Sequence, residues 1–581
     1  MQQLKTQDLV STEKASIEVS TEATSIEVLN PTADAYGETA SPLAPRLESL
    51  DGKVIGLLWN GKPLGDVALK TVGGLIKERY PTADVRFFPG TIRFTKELLA
   101  QAEAECDAVI TCAADCGACS SWLIHDSVYL EKRGVASVSI ASKGFEGDCE
   151  ATGSAFGMPN IRYVVVPRVY NALTSEQAAE QSRPLVEKII RMLTVEDADN
   201  VSVLEGGEAA QLTFTGSDPI EVLDNFNEFY LSKDWGDGYP LLAPTAERVE
   251  RLLSGLQANR DDLVCFLPPG MGHATVEKVA VNAAMAGCSS DETLVVMAAL
   301  RAISKCPPPL NKPVLMSTSA YAPMILVNGP IAQRLKVNGA RCCLGPGKNN
   351  QANIRIGRAV ALCLRNLARW IPGVMDLDSI GSPRKFNLCL AENEADSPWE
   401  PYHVSQGYRP DDDAVTIFHS TGEWDIPIPG FIDPYQLLKA LACKTPFQDA
   451  VSHLVEALGH MTGYEDGRLL LINPETAKAI AEGGFTKNQA ERVIHQHIRP
   501  RVSDLIEPIR SRWRDGLVRK EYRWLFELSP EAAKQESIPA FLGSQCIKIV
   551  VAGSHTPKPL AVGTLAPPIT EPVTHEAGGR P

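Results

Sequence analysis

The stretch "TCAADCGACSSWLIHD", residues 111–126, places Cys112, Cys116 and Cys119 within eight positions and follows them with Trp122, His125 and Asp126. Thiols at that density have three chemical uses. As thiolates they attack electrophilic atoms, as a pair two residues apart they cycle between dithiol and disulfide, and as soft donors they hold a metal ion. Cys112, Cys116 and Cys119 also form C-x3-C-x2-C, a spacing able to hold an iron–sulfur cluster, although Ala118 stands where such enzymes carry an aromatic residue. A zinc site would need a fourth ligand, for which His125 and Cys149 are candidates, and no second C-x2-C knuckle is present. Against all three stands a structural reading, in which the thiols are small buried hydrophobes. The other eleven of the fourteen cysteines mostly sit alone in apolar runs such as "AVALCLRN" around Cys363, a pattern of reduced packing residues and not of a disulfide framework.

Which use prevails depends on the elements that position the cluster. "KVIGLLW" (53–59), "DVRFF" (84–88), "DAVITC" (107–112), "ASVSIA" (136–141) and "RYVVVP" (162–167) read as strands, with helical stretches between the first four. That alternation predicts a doubly wound parallel sheet, flavodoxin- or Rossmann-like, over residues 49–198. A long helix over 175–194, capped by Thr174 with Gln177 completing a capping box, is expected to close it. Ligands of such sheets bind where strands run into helix N-termini. Four loops meet that description: "NGKPLGD", "PGTIRF", the cysteine cluster and "SKGFEGDC". Asn60, Lys62, Cys116, Cys119 and Cys149 are therefore expected to converge. At a helix start the unpaired N–H groups and the dipole favour an anion, so Cys116 is the expected nucleophile and Cys119 the resolving thiol. Lys62 and Asn60 would orient or stabilise charge, Asp115 and Ser120 would contact substrate, and His125, about two turns on, is a candidate base. Asp126 and Glu131 read as solvated face residues.

"LDGKVIGLLWNGKPLGDVALKTVGGLIKERY" and "CDAVITCAADCGACSSWLIHDSVYLEKRGVASVSI" together resemble the UGSC family of selenoproteins and their cysteine homologues. That family carries an "NGKP" loop and a D-U/C-G-S-C-[TS]-[ST]-W motif, matched by Asn60 to Pro63 and by Asp115, Cys116, Gly117, Cys119, Ser120, Ser121 and Trp122. Ala118 replaces the motif's serine, and Cys112 is not part of the motif. Cys116 occupies the selenocysteine place, so the resemblance implies redox or nucleophilic chemistry there. Residues of the second half, "DWGDGYPLLAPTAERV", "ATVEKVAVNAAMAGC", "VNGP" and "NIRIGRA", resemble a region of the longer members.

The rest of the chain reads as a flexible leader (1–48), a linker (199–218), a larger mixed α/β domain (219–565) with a helical segment at 434–527, and a loose tail (566–581). In the second domain His273 is expected in a loop before a helix capped by Thr275, with Glu277 in its first turn. These two are candidates for acid–base work or substrate contact. "LGPGKNNQAN" (344–353) has an anion-binding shape but not the P-loop pattern, with Cys342 where the first glycine should stand and Asn349 after Lys348. Lys348, Arg355 and Arg358 are candidates for clamping a carboxylate or phosphate there. The charge of −15, from 56 basic and 71 acidic residues, opposes nucleic-acid and anionic-membrane binding. No apolar run approaches a bilayer span. The expectation is a cytoplasmic homo-oligomeric enzyme acting on a small molecule, of oxidoreductase, lyase or transferase type. Its chemistry would be reductive cleavage, elimination or sulfur transfer. It would need no certain cofactor beyond an external thiol reductant, which a partner protein would supply. The alternatives are a metal- or cluster-binding protein using Cys112, Cys116 and Cys119, and a non-catalytic redox sensor.

Overall fold

A computed structural model describes residues 24–195, 209–306, 315–428, 433–447, 452–454, 466–513 and 518–575. The first described element, β1 (Thr24–Leu29), lies inside the stretch read as a leader. It pairs antiparallel with β7 (Gln211–Gly216), at the stretch read as a linker. "SIEV" alternates, so Val28 faces the second domain's core while Ser25 and Glu27 stay at the surface. Beyond β1 the chain runs as a strap. The Lys278 ammonium reaches the Asn30 carbonyl (3.2 Å) and Asp34 (2.9 Å), and Asn282 donates to the Pro31 carbonyl (2.9 Å). Farther on, the strap crosses to the first domain, where Glu131 accepts from the Ala44 N–H (2.7 Å) and pairs with Arg46 at 2.6 Å. The first 23 residues of the leader and residues 199–208 of the linker lie outside the described residues.

The first domain has the expected architecture. Strands β2 (Val54–Trp59), β3 (Asp84–Pro89), β4 (Ala108–Ala114), β5 (Ala136–Ser142) and β6 (Tyr163–Val166) form a wholly parallel sheet in the order β3-β2-β4-β5-β6. Helices α1 (Gly65–Arg79), α2 (Lys96–Glu105), α3 (Gly117–Glu131) and α4 (Glu146–Ala155) connect the first strands to their neighbours. Two apolar cores lie on opposite faces. Ile55, Leu57, Ala108 and Ile110 meet α1 on one, and Leu58 and Val109 meet α2 and α3 on the other. Counted within this domain the order is 2-1-3-4-5, the flavodoxin-like one, whose switch point lies between β2 and β4. The predicted closing helix is two, α5 (Ser175–Ser182) and α6 (Leu185–Thr194), broken at Pro184, and the Thr174–Gln177 capping box is formed.

The second domain is built on a seven-stranded mixed sheet. β10 (Ala322–Asn328) lies between β11 (Cys389–Ala391) and β12 (Ala414–Asp425). Next to β12 come β15 (Leu560–Leu565), β13 (Asp466–Ile472) and β14 (Ile547–Val551). Two sequence expectations change here. The segment 434–527 is not all helical, because β13 runs through its middle, where "RLLLI" buries residues on both faces as an interior strand does. The tail is not loose from 566, because Ile569–Pro572 is β16, paired with β12 and held by a Lys305–Glu571 bridge of 2.9 Å. No single helix among the described residues is long and apolar enough to cross a membrane.

Candidate thiol active site

The loops after β2 and β4 meet at the switch point. After β2, Gly61 turns the chain with φ +77°, and the Trp59 indole N–H donates to the Lys62 carbonyl at 2.7 Å, which fixes the loop that presents the lysine. Asn60 is fully buried and clamps β4, since its amide donates to the Ala113 carbonyl and its oxygen accepts from the Ala113 N–H, both at 2.9 Å. It is a positioning residue and not a substrate contact. After β4, Asp115 is buried with the Lys62 ammonium 3.7 Å away, and Cys116 is the N-cap of α3 in extended conformation. Its carbonyl takes the Ser120 N–H and hydroxyl, both at 2.8 Å, so Ser120 completes the first turn and does not face a ligand.

The Sγ atoms of Cys116 and Cys119 and a carboxylate oxygen of Asp115 all lie within 4.8 Å of one another. Cys116 is half-buried and Cys119 buried, and both are free thiols. The hydrogen bond from Cys119 and the Lys62 charge outweigh burial and hold the Cys116 thiol down at about 6. That same hydrogen bond, together with burial, pushes Cys119 up, so the pair divides into one thiolate and one thiol. Burial alone would lower Lys62, but the facing thiols and Asp115 more than reverse it, and the lysine stays cationic. Burial raises the Asp115 carboxyl against the pull of Lys62. The helix dipole adds to this preference for negative charge at Cys116. Replacing Lys62 by Met keeps the chain and removes the cation. The alkylation midpoint of Cys116 is then expected to rise by roughly 1–3 units, lowering its thiolate fraction, and with it the alkylation rate at pH 7, by about 2- to 90-fold. A stopped alkylation series across pH reads this directly.

The other candidates are placed elsewhere. Cys112 points to the α1 face, in the core with Ile55, Ile110 and Val138, and burial pushes its thiol well up. The three-cysteine ligand set is therefore not assembled, because strand parity sends Cys112 through the sheet. Cys149 is buried on α4 in the α2/α3 core. His125 is nine positions from Cys116, half a turn out of phase and roughly 13 Å along the axis. It contacts Asp126 (3.0 Å) and the Phe156 ring (4.5 Å). It is not a partner of the thiols. Asp126, read as solvated, is buried and accepts the Phe94 N–H at 3.1 Å, tying down the loop after β3. Glu131, read the same way, is the buried anchor of the strap.

In the second domain, His273 is on a strand, β9 (Gly272–Thr275), paired with β8 (Leu263–Leu267), and its ring packs on Phe266. Glu277 bridges Arg260 at 3.3 Å, and Arg358 is committed to Asp237 through two bonds of 2.7 and 2.9 Å. Lys348 and Arg355 share a cavity of their own, described below.

Sequence reasoning missed what covers the thiols. A Cβ built on Gly117 would stand 1.7 Å from the Met316 carbonyl oxygen, so only glycine lets the second domain approach this closely. Cys116, Cys119 and Trp122 belong to an apolar cluster with Ile92 and with Leu454, Val502, Leu505, Ile509, Val518 and Leu525 of the C-terminal segment. The Arg93 guanidinium lies over the Trp122 ring at 4.8 Å. The thiols thus sit in a water-poor seam between the first domain and that segment.

Residues 27–195 match the model of the UGSC family. The matched segment holds the whole Lys62–Asp115–Cys116–Cys119 group and begins inside β1, so it includes the strap. It covers under a third of the chain and ends before the second domain. No curated protein matches the chain.

Proposed function

We propose that the protein is a thiol-dependent enzyme acting on a small organic electrophile at the UGSC motif. The observation that carries this reading is the divided thiol pair, with Cys116 held as a thiolate at about 6 beside a protonated Cys119 and a cationic Lys62. A simple structural cysteine has no such partners. The Cys116 sulfur attacks the electrophilic atom of R–X, forming a Cys116–R bond while X leaves with the bonding electrons, its charge met by Lys62. Cys119 sulfur then attacks Cys116 sulfur. The electrons of the Cys116–R bond depart with R, which takes the Cys119 proton, leaving R–H and a Cys116–Cys119 disulfide. The substrate has gained two electrons, and an external thiol reductant restores the pair. Elimination or sulfur transfer would use the same first thiolate.

Cys119→Ala removes the resolving step. Exposed to a panel of activated small electrophiles, this variant is expected to accumulate a one-to-one covalent adduct on Cys116, seen in the intact mass, where the wild type accumulates disulfide. Adducts that fall instead on exposed Cys342 and Cys443, with none on Cys116, would sink the proposal.

One observation favours a second reading. Asp115, Cys116 and Cys119 offer three ligand atoms within 4.8 Å, a set suited to a soft metal ion and different from the three-cysteine set expected from spacing.

A further inference from the structure

The second domain contains a cavity of about 680 Å³ that shares no residue with the thiol site. Lys336, Lys348 and Arg355 line it, together with Glu392 and Glu394. Lys336 and Lys348 make no ion pair among the described residues. Arg355 is half-buried, 3.6 Å from Glu292, and donates to Gln351 at 3.0 Å. The acidic wall is built from one fully buried carboxamide. The Asn328 amide donates to Glu392 (2.7 Å) and to Glu394 (2.8 Å), while Glu392 also takes the Tyr402 N–H (2.6 Å) and Glu394 the Gly329 N–H (2.9 Å). The Asn328 oxygen itself is buried with no hydrogen-bond partner.

A cavity lined both by cations and by oriented carboxylates suits a molecule with two unlike ends. We propose that this cavity is a second ligand site, taking a small organic molecule that carries a carboxylate or phosphate at one end and a hydroxyl or ammonium donor at the other. The oxyanion lies against Lys336, Lys348 and Arg355, and the donor end hydrogen-bonds to Glu394 and Glu392. Burial raises Glu392 to about 7, helped by Glu394 and opposed by Lys487 from the helix Lys487–His497 and by the Asn328 and Tyr402 bonds. His403 stands 4.0 Å from Glu394. Glu392 is therefore protonated below neutrality and charged above it, and an added anion is favoured by the protonated form.

Isothermal titration of the full chain with malate and with glycerol 3-phosphate separates the carboxylate from the phosphate form of the ligand. Saturable binding of at least one is expected, weakened about tenfold or more by Lys348→Gln, an exposed position, and unchanged by Cys116→Ser. Affinity is expected to fall as pH rises through 7, and Glu392→Gln is expected to remove that fall. Binding of neither probe, binding that survives Lys348→Gln and Arg355→Gln unaltered, or binding lost with Cys116→Ser would each overturn the proposal.

Discussion

Cys116→Ser is expected to lower the proposed thiol-dependent turnover by about 10³-fold or more, because a serine hydroxyl beside Lys62 remains protonated at neutral pH where the thiol ionises. The loss is in the chemical step, so substrate binding should persist in the variant. Cys112→Ser changes a residue that faces the opposite core and should leave the chemistry intact in whatever fraction folds. The contrast between these two substitutions separates a nucleophile from a three-cysteine cluster, in which both cysteines would matter alike, and bound metal separates it from the Asp115, Cys116 and Cys119 ligand set. It is read by comparing turnover and bound metal in the same preparations.

Glu131→Ala is expected to cost about 3–5 kcal/mol of stability, the usual consequence of leaving one member of a buried ion pair alone. Arg46 and Glu131 side chains are 2% and 0% exposed, and the same carboxylate also takes the Ala44 N–H and the Ser137 N–H and hydroxyl. Losing it strands the Arg46 charge in the interior and frees the strap from α3. Urea unfolding should shift accordingly, and trypsin should cleave at Arg46 in the variant under conditions that spare the wild type. Removing both partners, Arg46→Met with Glu131→Gln, should recover part of the loss, since no charge is then left buried.

The five strands of the first domain were legible because each is a short apolar run followed by a turn or helix signal, and the loops that hold Lys62 and Cys116 follow from that alone. Helix arithmetic on α3 would have excluded His125, since nine positions is half a turn out of phase. Strand parity would have turned Cys112 away, as it lies two residues from core-facing Ile110. The strap was hidden by composition: Ser, Thr and Glu dominate it, and the alternation in "SIEV" is a strand signal only if a partner exists. That partner, β7, lies almost 190 residues on and has the same polar texture. Asp126 and Glu131 looked solvated because charges usually are, yet each is paid for by backbone N–H groups that no local pattern reveals. The covering of the thiols by Leu454, Val502, Leu505, Ile509, Val518 and Leu525 is a contact across more than 300 residues, beyond any reading of local sequence.

The central claim is that Cys116 is a stabilised thiolate poised for attack. Anaerobic alkylation of the purified protein as a function of pH, with modified cysteines mapped by mass spectrometry and bound metal assayed on the same sample, tests it most directly. Cys116 is expected to react ahead of the exposed Cys342 and Cys443, with a midpoint near 6 and no protection by metal. A Cys116 that reacts only above the roughly 8.5 of a free thiol, or one shielded together with Cys119 until a metal is stripped, would contradict it.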